Sequence, residues 1–145
     1  MTSNSHETSR VAQCRIIELP RHAHENGTIA VAQNSSLLPF AIKRTFFIYD
    51  IPSDAMRGGH SHYHTEELIV AVTGSFMVKM FDGVEWKHVT LNRPYQALYV
   101  PAGIWRSLED FSSGSVCLSF CPETFDEADY VRDIELFKEL TKCKL

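Results

Sequence analysis

The sequence is poor in cysteine, holding four in 145 residues, and no two have CxxC spacing. That argues against a zinc knuckle or a redox pair built on thiols. Cys117 and Cys121 fall in SVCLSFC, which reads as a strand. They would share a face there but stand farther apart than a disulfide reaches. All four, Cys14 and Cys143 included, read as buried free thiols. Positive charge is also short: 14 Lys and Arg against 18 Asp and Glu leave a net charge of -4. No overall basic field draws the chain to nucleic acid. No apolar run approaches the roughly 20 residues of a membrane span, so no membrane partner is expected. The start, MTSNSHETSR, has no apolar core of a signal peptide, which points to a cytoplasmic protein. There is no internal repeat and no linker. The expected organisation is a disordered stretch over residues 1–10 and one domain over 11–145.

What is present suits a β-fold. Apolar residues make up 44% of the chain, enough for a full core. CRIIELP reads as a short strand closed by Pro20, and HENGTIAVAQ as an Asn-Gly turn followed by a strand. FAIKRTFFIYDIP reads as a long strand. EELIVAVTGSFMVKMFDGVEWKHVTL gives three strands, the last two joined at Asp82–Gly83, a strong hairpin signal. ALYVPAGIWRSLEDF starts as a strand and turns into a loop at Pro101 and Gly103, and SVCLSFC adds a further strand. The period changes near the end. Tyr130, Ile134, Phe137 and Leu140 fall at helical spacing, and Thr124 with Glu127 fits a capping box. The prediction is an all-β sandwich or small barrel with one C-terminal helix.

The polar segment RGGHSHYHTEEL raises the question of chemistry. On a strand, residues two apart share a face, so His60 and His62 point the same way, and His64 joins them if the strand runs on that far. They stand between a glycine pair and a strongly apolar strand, where a barrel mouth would be. Only one of Glu66 and Glu67 can face inward beside them. Two readings are open for this group: a metal centre with Glu67 as third ligand, or a metal-free acid/base site. The spacing His60-x-His62, four residues, Glu67, six residues, Gly74 resembles the first motif of the cupins. The second motif, Pro-x-Gly-two residues-His, reads Pro101, Gly103 and then Arg106. A permanent positive charge in the fourth corner opposes a bound cation, which favours the metal-free site. Free imidazoles titrate near neutrality and suit proton transfer.

The segments IKRTFFIYDIP, RGGHSH, VTGSFMVKMFDG, TLNRPYQALYVPAGIWRSLEDFSSGSVCLSF and FDEADYVRD together resemble the sugar-nucleotide 3,4-ketoisomerases, the WxcM-like cupins. The resemblance runs from about residue 14 to 138. It implies an all-β, cupin-type jelly-roll barrel with a C-terminal α-helix that works as a homodimer. It implies a metal-independent isomerase with no cofactor, in deoxysugar and lipopolysaccharide or glycan biosynthesis. The expected substrate is a thymidine-diphosphate-linked (dTDP) 4-keto-6-deoxyglucose, whose ketone moves from C4 to C3. His60 and His62 carry the chemistry by family position. Arg44, Arg57 and Arg106 are candidates for holding an enolate oxygen or the diphosphate, since Arg binds phosphate with paired donors. Tyr49, Asn92, Arg93 and Tyr99 are substrate contacts by family position, while Trp86 and Trp105 read as packing. Some positions depart from the family: Ser61 replaces an alanine, Glu67 a glutamine, and Phe46 and Phe47 stand where tyrosine is common. HENGT also lacks an arginine usual in that turn. Other readings from the same residues are a metal-dependent cupin isomerase or dioxygenase, a sugar-nucleotide epimerase, and a non-catalytic sugar-binding sensor.

Overall fold

The computed structural model describes residues 10–142. The expected disorder of the first residues falls outside these, except at Arg10, and so does Cys143. Twelve strands and one α-helix follow in order. They are β1 (Arg15–Glu18), β2 (Arg21–His24), β3 (Gly27–Ala30), β4 (Arg44–Ile48), β5 (Arg57–His62), β6 (Glu67–Thr73), β7 (Phe76–Phe81), β8 (Trp86–Leu91), β9 (Gln96–Val100), β10 (Trp105–Glu109), β11 (Val116–Cys121), β12 (Tyr130–Val131) and α1 (Ile134–Lys142). Two five-stranded sheets carry the fold, in the orders β1-β9-β6-β11-β4 and β12-β5-β10-β7-β8. Every pairing is antiparallel. This is the predicted jelly roll.

The alternation of side chains sets the layers. Ile69, Ala71, Val78, Met80, Leu98, Val100, Leu108 and Cys117 turn inward and join the main core between the sheets. On the outer face of the first sheet, Leu68, Val70 and Ala97 pack with Ile17, Leu19 and Leu38 in a second cluster. The β2–β3 hairpin lies beyond this face and is exposed along both strands. On the outer face of the other sheet, Phe81, Trp105, Val131 and Phe137 form a third cluster, and Ile134 and Leu140 of α1 pack against it.

The turns explain the topology. Asp82 accepts from the N–H groups of Val84 and Glu85 and joins β7 to β8 as a hairpin. The Thr-Gly-Ser turn after β6 is not a hairpin, because β6 and β7 lie in different sheets. It is a corner with Gly74 at φ +75, where a Cβ would lie 2.5 Å from the Ser115 hydroxyl. Other elements differ from expectation. The long strand predicted before residue 52 spans only Arg44–Ile48, because Asp50 takes a left-handed φ of 55 and ends it. The loop at Pro101 is brief, and β10 follows with Trp105 to Leu108 buried.

The C-terminal helix is shorter than its periodicity suggests. It starts at Ile134, where the Asp133 side chain accepts from the Glu135 N–H. The Thr124–Glu127 capping box does not form; Asp126 instead caps a 3-10 turn at Glu127–Asp129. Tyr130, expected in the helix, lies on β12 opposite His62. The helical spacing of Tyr130 with Ile134 was coincidental. Pairing to the edge of β5 outweighs local propensity there.

Candidate active site

The strand register assembles the site. His62 ends β5, and both it and His60 face inward. Arg106 on β10 stands directly opposite His60, and Tyr130 on β12 directly opposite His62. The His60 and His62 rings meet edge to face, with centroids 4.8 Å apart. The Tyr130 ring lies against both, at 5.0 and 4.4 Å. His64 does not join them. It follows the end of the strand, is exposed, and gives its backbone N–H to Asp129.

Arg57 reaches the same face through a bulge. Leu108 pairs with Arg57 and Arg106 with His60, so β5 has one residue more than β10 between these pairs. The extra residue flips the alternation, and Arg57 and His60 both follow the inward side of β10. Gly58 makes the bulge possible. Its φ is +72, and a Cβ would come within 2.8 Å of the Leu108 side chain. Arg44 enters from the opposite sheet. It pairs with the buried Cys121 on the inward side of β4, and its guanidinium stands 5.7 Å from the Phe125 ring, which packs against Tyr130.

Arg106 is fully buried. Its Nη1 donates to Glu67, whose other oxygen accepts from the Ser119 hydroxyl. Its Nε donates to the Ile104 carbonyl, while Nη2 has no partner. The Arg44 Nε is also buried without a partner. Two guanidinium donors thus lie beside the histidines unsatisfied, an arrangement that costs energy until an acceptor arrives.

The electrostatics fix the histidines as neutral. Burial, followed by the Arg106 charge, pushes His60 down to about 2 and His62 to about 3. Asp129 favours the charged form of His62 but does not prevail. Neutral rings have a lone pair available at neutral pH, as a general base requires. The donor atoms of His60, His62 and Glu67 lie within 4.8 Å of one another. As a metal set they fit poorly: both carboxylate oxygens of Glu67 are occupied, and a cation would share the corner with a buried guanidinium.

Other expected contacts lie elsewhere. Tyr99 packs with the outer cluster and donates to Glu66, and Arg15 lies over its ring. Tyr49 is exposed and pairs with Phe47, whose partner Leu118 is on the outer face. Asn92 and Arg93 are exposed in the β8–β9 connection, where Arg93 donates to the Asn92 carbonyl. None of these joins the inner cluster. Trp105 packs against Phe137, and the Trp86 ring stacks on Phe81. Burial pushes the thiols of Cys14 and Cys121 up to about 11 and that of Cys117 to about 12. The sequence reading missed Asp129, Tyr130 and Arg132. Arg132 sits over the Tyr130 ring and forms an ion pair with Glu127. The segment FDEADYVRD contained them, but a helix there would have scattered them around its surface.

Comparisons with known proteins agree with this geometry. The chain is 31% identical over 125 residues to the TDP-4-oxo-6-deoxy-alpha-D-glucose-3,4-oxoisomerase of Aneurinibacillus thermoaerophilus, covering 86% of this chain and 90% of that one. It superposes with a TM-score of 0.89 on QdtA, a sugar 3,4-ketoisomerase from Thermoanaerobacterium thermosaccharolyticum solved with TDP, at 28% identity. The match covers 94% of this chain and 99% of that one. A dTDP-4-dehydrorhamnose 3,5-epimerase from Bacillus anthracis shares the fold, at TM-score 0.73 and 13% identity over 84% of this chain and 79% of that one. The sequence model of the family described as "FdtA: WxcM-like, C-terminal" matches residues 12–142, and the chain belongs to that family.

Proposed function

We propose that this chain is a metal-independent sugar-nucleotide 3,4-ketoisomerase. It moves the ketone of dTDP-4-keto-6-deoxyglucose from C4 to C3. The observation that carries the reading is the pair of neutral imidazoles in contact, flanked by two buried guanidinium donors without partners. A sensor that only binds sugar has no need of two buried bases. The named relatives support the substrate class.

The chemistry requires a proton to leave C3 and one to arrive at C4. His62 takes the C3 proton, and electrons shift to give an enediolate with its charge on the C4 oxygen. His60 carries the proton of the C3 hydroxyl to the C4 oxygen. His62 then delivers its proton to C4, and the ketone stands at C3. Atoms and charge balance without a co-reactant. The free donors of Arg106 and Arg44 suit the oxygens of the enediolate, where charge develops. Arg57 and Arg132 are placed farther out, where either suits the diphosphate. Tyr49, Asn92 and Tyr99 receive no role, since they lie off the inner face. The role fits an intracellular step of deoxysugar supply for a glycan, and no helix of the described residues is long and apolar enough to cross a membrane.

The test is to incubate chelator-treated protein with dTDP-4-keto-6-deoxyglucose in deuterated water and follow the sugar by NMR. A 3-keto sugar is the expected product, carrying deuterium at C4 where the proton on His62 exchanges with solvent before delivery and the original C3 hydrogen where it does not. Turnover that returns only when a metal is added back would overturn the metal-free mechanism. Binding without turnover would favour the sensor.

A further inference from the structure

The acid/base scheme above uses two histidines of one residue type, yet their surroundings differ. One Asp129 carboxylate oxygen lies 3.2 Å from the His62 Nδ1 and also accepts from the Thr65 N–H at 3.1 Å. The other accepts from the His64 N–H at 2.8 Å. The Asp129 carbonyl accepts from the Tyr63 N–H. The carboxylate is therefore clamped by the loop that follows the histidine pair, and its orientation is set before any substrate binds. Among the described residues, no carboxylate holds the His60 ring.

We propose that Asp129 is a positioning residue that divides the labour between the two histidines. An ionised carboxylate only accepts hydrogen bonds, so the His62 Nδ1 must carry the hydrogen. That leaves the lone pair on Nε2, on the far side of the ring from Asp129. His62 is thereby fixed as the carbon base. When it takes the C3 proton, both ring nitrogens carry hydrogen and the positive charge stands against the carboxylate. His60, with no such partner, is free to carry hydrogen on either nitrogen. A shuttle between two oxygens needs that freedom, accepting from one and donating to the other. This division rests on the isomerase reading given above.

Proton-nitrogen correlation spectra of protein labelled at histidine nitrogen distinguish the two neutral tautomers. The His62 signals are identified by their loss in His62→Asn. The wild type is expected to show His62 with hydrogen on Nδ1, and Asp129→Asn to show the other tautomer or a mixture. Asp129→Asn is also expected to lower kcat by about 10²–10⁴-fold with KM little changed. Asp129→Glu should recover part of kcat, because it restores an acceptor. A wild-type His62 with hydrogen on Nε2 overturns the proposal, as does an Asp129→Asn enzyme with unchanged kcat. The wild-type spectrum is informative even if Asp129→Asn does not fold. It needs no substrate, so a wrong tautomer sinks only the role of Asp129, whereas a correct tautomer without turnover sinks the isomerase reading.

Discussion

Glu67 and Arg106 form an ion pair with almost no contact with water. Such a pair is held by mutual compensation, so removing one partner strands the other. Glu67→Leu alone is expected to cost about 3–5 kcal/mol in urea unfolding. Adding Arg106→Met to it should recover much of that loss, because an apolar pair replaces a stranded charge. The histidines give a different signature. Their folded-state pKa values lie below the ordinary 6.5, at about 2 and 3, so the unfolded chain binds protons that the folded chain refuses. Stability is therefore full above about pH 6.5 and declines as pH falls toward the folded values, by up to about 1.4 kcal/mol per pH unit for each ring. Thermal melts from pH 7.5 to 4.5 should show the decline, and it should be shallower in the His60→Asn, His62→Asn double variant. In activity, His62→Asn is expected to lower kcat by about 10²–10⁴-fold, measured by the NMR assay. The histidine pair was legible because alternate residues on a strand share a face. Asp129 was not, since it lies 67 positions away in the chain from the ring it holds.

The β5 bulge shows how one residue sets the content of a site. Arg57 and His60 have opposite parity in the sequence, and a regular strand would point one of them out. Gly58 absorbs the extra residue in a conformation that a side chain resists. Gly58→Ala is expected to cost about 1–3 kcal/mol. It should also weaken substrate binding by displacing Arg57, which a KM measurement would detect. The glycine pair stood out in the sequence, but its φ and its partner Leu108 depend on a strand 50 residues later in the chain. Most strands were legible for a simple reason: alternating burial and hairpin signals are local. The C-terminal segment was misread because Tyr130, Ile134, Phe137 and Leu140 satisfy helical spacing, while the open edge of β5 that claims Tyr130 appears only in three dimensions. β10 was also missed. Its residues are buried on both faces, so IWRSLE has no alternation to reveal it.

The two sheets have two seams, and these differ. At one seam the first sheet's β1 edge meets β8: the Lys87 ammonium donates to the Cys14 carbonyl, and the Val11 N–H donates to Asp82. At the other, β4 faces β5 and β12 with no ladder between them, and Arg44 reaches across to the Phe125 ring, which packs on Tyr130. The proposed site occupies this second seam. The outer face of the first sheet leaves Phe47, Val72 and, just past β4, Tyr49 exposed, and Ile29 of the neighbouring β2–β3 hairpin is exposed as well. We expect this face to be covered by a second copy, so light scattering should report a dimer, and Phe47→Glu should shift it toward monomer. The overall jelly roll was legible in the order of strands and turns, whereas the character of each seam was not, because it depends on which edges are left over. The open seam also has a mechanical meaning. Its two lips belong to separate ladders, so they can part without breaking a single backbone hydrogen bond. We therefore expect this seam to widen for a bulky nucleotide sugar and narrow around it. Hydrogen exchange should report this as faster exchange on the free edge of β4 than on β6, with the difference shrinking when dTDP fills the gap.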